Sequence, residues 1–347
     1  MTTVYDVARL AGVSTATVSR VMRGSDLVRP DTRERVLAVI EEVGFVPDAS
    51  AQGLSRRRKE IIGLVALERG VDETDIEQTG LLFVDQLVHA VEAVLRGTEC
   101  SLLLSFGRNG EHFQQRIRAL SGKVDGLLVV EEALPATALR SLSRRLPIVV
   151  IAGTADEAGV DAIRVDNAGG MRAVAAHLAV GHGYRRLGFA AGPPDAPDAV
   201  ERLAAFSGAV RDVPDASVDV VPGGDFSEAS GRRAAAILLG REALPQALAC
   251  ANDQMAIGAM REFQRCAIRV PQDVAVTGFD DIFPGRIVDP PLTTVGQPFR
   301  ELGSLAAARL IERIEGSEAP ARTETLHTEL AVRRSCGCPG GAAPLGR

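Results

Sequence analysis

The chain has no tryptophan, two tyrosines and only 4% aromatic residues, and with 46% hydrophobic and 24% charged residues its composition is that of an ordinary soluble protein. It has two lysines, Lys59 and Lys123, and arginine supplies the remaining positive charge. No apolar run reaches the roughly 18–20 residues that would cross a bilayer. The start of the chain lacks a basic-then-apolar segment of the secretory kind, so the expected location is the cytoplasm. Five cysteines, an odd and widely spaced set, fit reduced thiols rather than a disulfide framework. Only Cys336 and Cys338 lie close together; with no second pair and no histidine nearby in sequence, the expectation is no metal and no cofactor.

Enzyme signatures are missing as well. There is no Gly-x-Gly-x-x-Gly, no Gly-Lys-Ser/Thr phosphate loop and no Gly-x-Ser-x-Gly elbow. The histidines, His89, His112, His177, His182 and His327, lack the paired spacing of a metal-binding helix. His177 and His182, in His-Leu-x-x-Gly-His, read as structural, with Gly181 ending a helix. No catalytic residue is expected.

What is present divides the chain. It has 347 residues and a net charge of −6, yet residues 1–60 hold ten Arg/Lys against eight Asp/Glu, leaving −8 for the rest. Positive charge thus sits at the N-terminal end, where it can meet phosphates, though a surplus of two makes non-specific binding modest and salt-sensitive.

That end carries the clearest pattern. Val4, Val7, Ala8 and Ala11 recur at helical spacing. Thr3 and Asp6 are a start signal, Gly12 a stop, and Ser14 a cap for a second helix whose Val18 and Val21 face inward. Thr15, Ala16, Thr17, Ser19 and Arg20 are left near or on the outside. Small side chains let a helix sit deep in a major groove, while an arginine reads guanine or holds phosphate. A third helix fits Pro30 or Asp31 to about Val43, with Val36, Val39, Ile40 and Val43 as its apolar stripe and Gly44 at its end. Taken alone, this is also the pattern of an ordinary helical hairpin.

The run Ala8-x-x-Ala11-Gly12-Val13-Ser14-x-x-Thr17-Val18-Ser19-Arg20-Val21, followed by Val28, Thr32-Arg33-x-Arg35-Val36 and Gly44-Phe45-x-Pro47, resembles the headpiece of LacI-type bacterial transcription regulators. So do segments further on: Val165-Asp166-Asn167, Ala251-Asn252-Asp253-x-x-Ala256, Gly278-Phe279-Asp280-Asp281 and Pro291-Leu292-Thr293-Thr294-Val295. The resemblance implies an all-α helix-turn-helix headpiece over residues 1–47 and a hinge over 48–60. It implies an α/β core of two Rossmann-like subdomains, periplasmic-binding-protein type I-like, over 61–335. The tail, 336–347, is expected to be disordered.

The core pattern agrees with this: short apolar runs alternate with helical stretches, the mark of parallel sheets with crossover helices. Strands are predicted at Ile61–Leu67, Leu102–Phe106, Gly126–Val130, Ile148–Ala152, Ile163–Val165, Leu187–Ala191, Val218–Val221, Ala247–Cys250 and Val274–Gly278. Helices are predicted at Leu81–Arg96, Ala168–Val180, Gly231–Leu239 and Gln254–Cys266. The first lobe is expected to comprise about 61–160 and 292–317, and the second about 161–291 and 318–335.

By resemblance, the DNA-binding residues are Tyr5, Ser14, Thr15, Ala16, Thr17, Ser19, Arg20 and Arg23, with Ala51 and Leu54 of the hinge. Leu54 is the minor-groove wedge that kinks the central base step. The effector contacts are Arg202, Asn252, Asp280 and Gln297, with Phe83 and Phe299 as an apolar wall. Strand-end caps or inter-lobe hydrogen bonds are the alternative role for the polar four. Two departures from the family make the first-lobe side less polar: Ala152-Gly153, where many relatives carry an aspartate, and Gly80-Leu81-Leu82-Phe83 in place of Asn-Pro-Phe-Phe.

The implied protein is a dimeric repressor of a near-palindromic double-stranded DNA operator. It is controlled by a small polar effector (sugar, polyol or nucleoside-like) and has no membrane partner. The alternatives are a solute-binding protein with the same two-lobed core, or an effector-independent or activating regulator.

Overall fold

The computed structural model describes residues 3–22, 25, 27–45, 58–68, 82–108, 110–130, 133–153 and 159–339. The chain divides into two compact units, Met1–Lys59 and Glu60–Arg347.

The first unit is built from α1 (Val4–Leu10), α2 (Thr15–Met22) and α3 (Pro30–Val43). Thr3 and Asp6 close a capping box at the start of α1. Gly12, at φ 65°, ends that helix: its N–H reaches the Arg9 carbonyl, and Val13 N–H reaches that of Ala8. Ser14 Oγ then accepts the Thr17 N–H and caps α2. Pro30 opens α3, and Gly44, at φ 59°, closes it. These local devices fix the turn angles, and Val7, Ala8, Ala11, Val18, Val21, Val28 and Val36 fill the space between the helices.

The second unit holds two six-stranded sheets among the described residues. The first contains β1 (Ile61–Leu67), β2 (Ser101–Gly107), β3 (Gly126–Val130), β4 (Ile148–Ile151), β5 (Asp161–Val165) and β11 (Thr323–Leu326). Their order is β11-β5-β4-β3-β1-β2, all parallel. The second contains β6 (Arg186–Ala190), β7 (Ser217–Val221), β8 (Ala247–Cys250), β9 (Ala275–Asp280), β10 (Thr293–Gly296) and β12 (Glu329–Ala331), ordered β12-β10-β9-β8-β6-β7. Only the β10–β12 pair is antiparallel.

Helices α4 (Leu82–Leu95), α5 (Glu111–Ser121), α6 (Ala136–Ser143) and α12 (Phe299–Ile314) cover the first sheet. The second lobe carries α7 (Asn167–Ala176), α8 (Pro197–Arg211), α9 (Glu228–Leu239), α10 (Asp253–Arg265) and the short α11 (Phe283–Ile287). Central strands such as β3, β4 and β8 are buried end to end, as parallel strands covered on both faces must be.

All nine expected core strands form, within one or two residues of their expected ends. The lobe boundaries require correction. Residues 161–165 form β5 of the first sheet, so the chain crosses after Val165 rather than near Asp161. Thr293–Gly296 pairs with β9 in the second sheet, so the return to the first lobe begins after Gly296, not at Leu292. Residues 323–326 pair with β5, and only β12 belongs to the second sheet. An apolar run states that it is buried, not in which of two sheets. The tail is corrected in part: Cys336 is fully buried, and Cys338 packs against the same core cluster.

One buried charge cluster ties the crossing segments together. Asp161 is 2% exposed; its carboxylate accepts from Arg313 Nε at 2.6 Å, Arg309 NH1 at 3.4 Å and the Arg322 N–H at 3.1 Å. Burial raises its pKa, but these donors, Arg313 foremost, outweigh burial and hold it below the usual value. The stability it confers is therefore present above the ordinary carboxylate range and is lost as pH falls through the lowered folded value. Asp161→Asn leaves the buried Arg309 one counter-ion short. We expect a loss of about 2–4 kcal/mol and less acid sensitivity, read by thermal unfolding at pH 7 and pH 4.

Candidate DNA surface and effector cleft

On the first unit, α2 buries Val18 and Val21, with Met22 packed against the same core. Ser14, Ala16 and Arg20 are exposed, as is Tyr5 on α1; Thr15, Thr17 and Ser19 are half-buried. Ser14 does more than cap: its hydroxyl also lies 2.9 Å from Thr17 Oγ1, so these two side chains hold each other. The outer face of α2 is thus a small, low-relief surface with one exposed guanidinium, the shape a major groove admits. Arg23, Ala51 and Leu54 lie outside the described residues.

The core carries a cleft between its two lobes, about 580 Å³ with its open mouth included. It lies at the carboxyl ends of the strands, where open α/β sheets bind ligands. Ala66, Leu67, Phe83, Val84 and Val130 line the first-lobe side. Among the described residues, that side is apolar. Asp198, Arg202, Phe226, Asn252, Gln254 and Asp280 line the other side.

Arg202 is the centre of the polar wall. It is 4% exposed, and its Cζ lies 3.8 Å from the centre of the Phe279 ring. Nε donates to Asn167 Oδ1 at 2.7 Å and NH1 to the Ala251 carbonyl at 2.9 Å. Two carboxylates flank it at ion-pair distance, Asp280 at 3.7 Å and Asp198 at 3.8 Å. Burial pushes the Asp198 carboxyl up, against the pull of Arg202. Burial also pushes Asp280 up, to about 6, while Arg202 and Gln297 restrain it. An acid–guanidinium–acid array of this kind offers both acceptors and donors to neighbouring hydroxyls. Asp280 has φ 123° and Asp281 φ 59°, so the strand ends in strained backbone that aims the carboxylate.

The expected residues do not all reach the cleft. Phe83, Arg202, Asn252 and Asp280 line it. Gln297 stands behind Asp280 and donates to its Oδ1 at 2.6 Å, while its own Oε1 is buried without a hydrogen-bond partner among the described residues. Phe299 backs Phe83 in an edge-to-face contact, ring centres 5.3 Å apart, rather than forming the wall itself. Asn252 is committed elsewhere: it caps α10 by accepting the Met255 N–H and donates to the Phe226 carbonyl, both at 3.0 Å. That is the strand-end cap that stood as its alternative role, and one amide N–H remains for a ligand.

Asp198, Phe226 and Gln254 were not foreseen. Asp198 had a signal, four residues before Arg202 on one helix face; Phe226 and Gln254 had none. Asp253 fixes a loop by accepting from Thr294 Oγ1 and the Ile282 N–H.

Elsewhere in the second lobe, the fold overturns the expectation that no histidine accompanies Cys336 and Cys338. His177 and His182 lie beside them, and the four ligating atoms are all within 4.8 Å of one another. No helix among the described residues is long and apolar enough to cross a membrane.

Comparison with known proteins agrees with both units. Residues 3–48 match the model of the bacterial regulatory proteins of the lacI family, and residues 175–336 that of a periplasmic binding protein-like domain. The ribose operon repressor of Haemophilus influenzae is 32% identical over 96% of this chain and 98% of its own. A lac repressor dimer bound to operator and the anti-inducer ONPF superposes with a TM-score of 0.82 at 29% identity, over 96% of this chain and 99% of that one. The transcriptional regulator CelR in complex with cellobiose gives 0.70 at 32% identity, over 96% and 100%. The chain belongs to the lacI family of bacterial regulatory proteins, and it is a DNA-binding transcriptional regulator rather than an enzyme.

Proposed function

We propose that this protein is a cytoplasmic, homodimeric repressor that reads a near-palindromic operator through α2 and responds to a small polyhydroxylated effector in the inter-lobe cleft. The observation that carries the effector half is the buried Asp198–Arg202–Asp280 array facing an apolar wall. A sugar or nucleoside presents that pairing: a ring edge of hydroxyls and a ring face of C–H groups. Asp280 and Asp198 accept from hydroxyls, the Arg202 guanidinium and the remaining Asn252 N–H donate, and Phe83 packs on the ring face. Gln297 positions Asp280. The lac repressor and CelR structures, one bound to operator and one to a disaccharide, support the same division of labour.

On the DNA side, Tyr5, Ser14, Thr15, Ala16, Thr17, Ser19 and Arg20 form the contact face, with Arg23 beside it. Ala51 and Leu54 supply the minor-groove wedge. Because Thr15 and Ala16 offer no bidentate base contact, methyl contacts, Arg20 and the kink at Leu54 carry much of the discrimination.

The test is a thermal-shift screen of pentoses, hexoses, disaccharides and nucleosides. Operator selection from random duplexes and DNA titration with and without the compound found would follow. Coupling of about 1–3 kcal/mol predicts a change of roughly 5- to 150-fold in operator affinity. A compound that binds the cleft and leaves operator affinity unchanged would refute allosteric control.

Effector affinity should also depend on pH. Asp280 accepts from hydroxyls with both oxygens only when ionised, and burial pushes its pKa up to about 6. Affinity is expected to be level above pH 7 and to fall as the pH drops through 6. Calorimetric titration between pH 5 and pH 8 reads this directly, and a flat profile would remove Asp280 from the contact set.

A further inference from the structure

The second lobe brings together two imidazoles and two thiols that the regulatory reading does not use. His177 and His182 sit at the end of α7, where the helix widens into a π-turn over His177–Gly181, closed by the His182 N–H on the His177 carbonyl. In a regular α-helix, residues five apart point in different directions. The wider turn brings both rings to one side, with Nε2 of each 3.3 Å apart and the rings edge-to-face. Such π-turns recur at functional sites.

Cys336 and Cys338 arrive from the other end of the chain. Ser335 anchors their loop, with its Oγ donating to the Val276 carbonyl and accepting the Thr293 N–H. Gly337 turns between them at φ 101°, where a Cβ would press on Tyr184 Oη at 3.3 Å and His182 Cε1 at 3.6 Å. Cys336 Sγ then lies 3.3 Å from His177 Nε2. Cys338 Sγ lies 3.7 Å from that atom and 3.4 Å from His182 Nε2.

Hydrogen bonding alone does not account for this convergence. One ring nitrogen has one proton or one lone pair, yet His177 Nε2 has three polar atoms around it. A tetrahedral ion does account for it. Bonds of about 2.0–2.1 Å to nitrogen and 2.3 Å to sulfur separate ligand atoms by about 3.3 Å for N–N and 3.5–3.6 Å for N–S. Four of the six separations, 3.3 Å for N–N and 3.3, 3.4 and 3.7 Å for N–S, lie close to those values, and the other two are no more than 4.8 Å.

We propose that His177, His182, Cys336 and Cys338 form a Cys₂His₂ site for a zinc-class divalent cation, which fastens the C-terminal strap to the end of α7. Two thiolates and two neutral imidazoles cancel the charge of a divalent ion, which suits a half-buried site, and sulfur ligands favour zinc over magnesium or calcium. The surroundings are ordered for the task. Thr293 Oγ1 donates to Cys336 Sγ at 3.1 Å, Tyr184 Oη donates to the Cys336 carbonyl at 3.3 Å, and the Tyr184 ring stacks on His182. Four protein ligands leave no open position, so the site is structural rather than catalytic.

The site is tested on the full chain, purified under reductant, stripped with chelator and titrated with Zn²⁺ or Co²⁺. One ion per chain is expected. Co²⁺ should give the intense visible bands of tetrahedral cobalt and a thiolate charge-transfer band, and Zn²⁺ should raise the Tm of the core by about 5 °C or more. Cys338→Ser and His182→Gln, both at half-exposed positions, should each weaken binding by about 100-fold or more and abolish the charge-transfer band or shift it. Cys266→Ser, away from the site, should change neither. Three results would overturn the proposal: no stoichiometric binding by the unaltered chain, pale octahedral cobalt, or undiminished binding in both ligand variants. A Cys336–Cys338 disulfide as the resting state of freshly isolated protein would also overturn it, in favour of a redox pair.

Discussion

Val18→Asp is expected to abolish operator binding while leaving effector binding and the thermal transition of the core where they were. Val18 is fully buried at the centre of a core of seven small apolar residues. A carboxylate there has no cation among the buried residues, and its burial costs about 4 kcal/mol or more. A headpiece of this size has roughly 5 kcal/mol of stability or less to lose. Unfolding it removes the whole surface of α2 at once. Operator affinity should therefore fall by about 10³-fold or more, to the non-specific level.

Two measurements check this. Fluorescence anisotropy against operator gives the affinity. Calorimetry should lose the headpiece transition and keep that of the core, because residues up to Lys59 form a unit of their own. Operator binding within tenfold of the unaltered protein would mean that α2 is not the reading element.

What could be read in the sequence was what short-range chemistry decides. The capping box of Thr3 and Asp6, the left-handed glycines at 12 and 44 and the Ser14 cap are all written within five residues of where they act. Strands β3 and β8, buried on both faces, announce themselves as unbroken apolar runs.

Long-range assignments were less legible. Nothing local distinguishes β5 in the first sheet from β6 in the second, since that depends on which neighbour each strand finds. Asn252 illustrates a different limit. Its place before Asp253-Gln254-Met255 is a cap signature as well as a family ligand position, and the structure commits most of its amide to the cap. The Cys336–Cys338 strap and the His177–His182 turn lie far apart in sequence, 156 residues between His182 and Cys338. Their meeting depends on the antiparallel return of β12 beside β10 and on a π-turn that no periodicity encodes.

Arg202→Met should eliminate the effector response while preserving operator binding. Methionine keeps the aliphatic stem, so the contact with Phe279 survives in part and the charge is what is lost. Asp198 and Asp280 then face each other's field with no cation between them. Burial already lifts both carboxyls, and Arg202 is what restrains them, so removing it drives both further up. At pH 7 the pair takes up protons, and acceptors built for hydroxyls become donors. Asn167 Oδ1 and the Ala251 carbonyl also lose the donor that joins the start of α7 to the cleft floor.

Effector affinity is expected to fall by about 100-fold or more, and core stability by roughly 3–5 kcal/mol. The sign with pH follows from the direction of the shifts. Groups whose folded pKa is raised contribute stability below their unfolded pKa and lose it as pH rises through the folded value. The variant should therefore unfold most easily near pH 8 and regain stability toward pH 5, more steeply than the unaltered chain. Thermal unfolding across that range, paired with calorimetric titration of the effector, separates the two effects. An affinity within threefold of normal would show that the ligand does not depend on the guanidinium, and the array would then have to be read as a tie within the second lobe, joining α7, α8 and the end of β9.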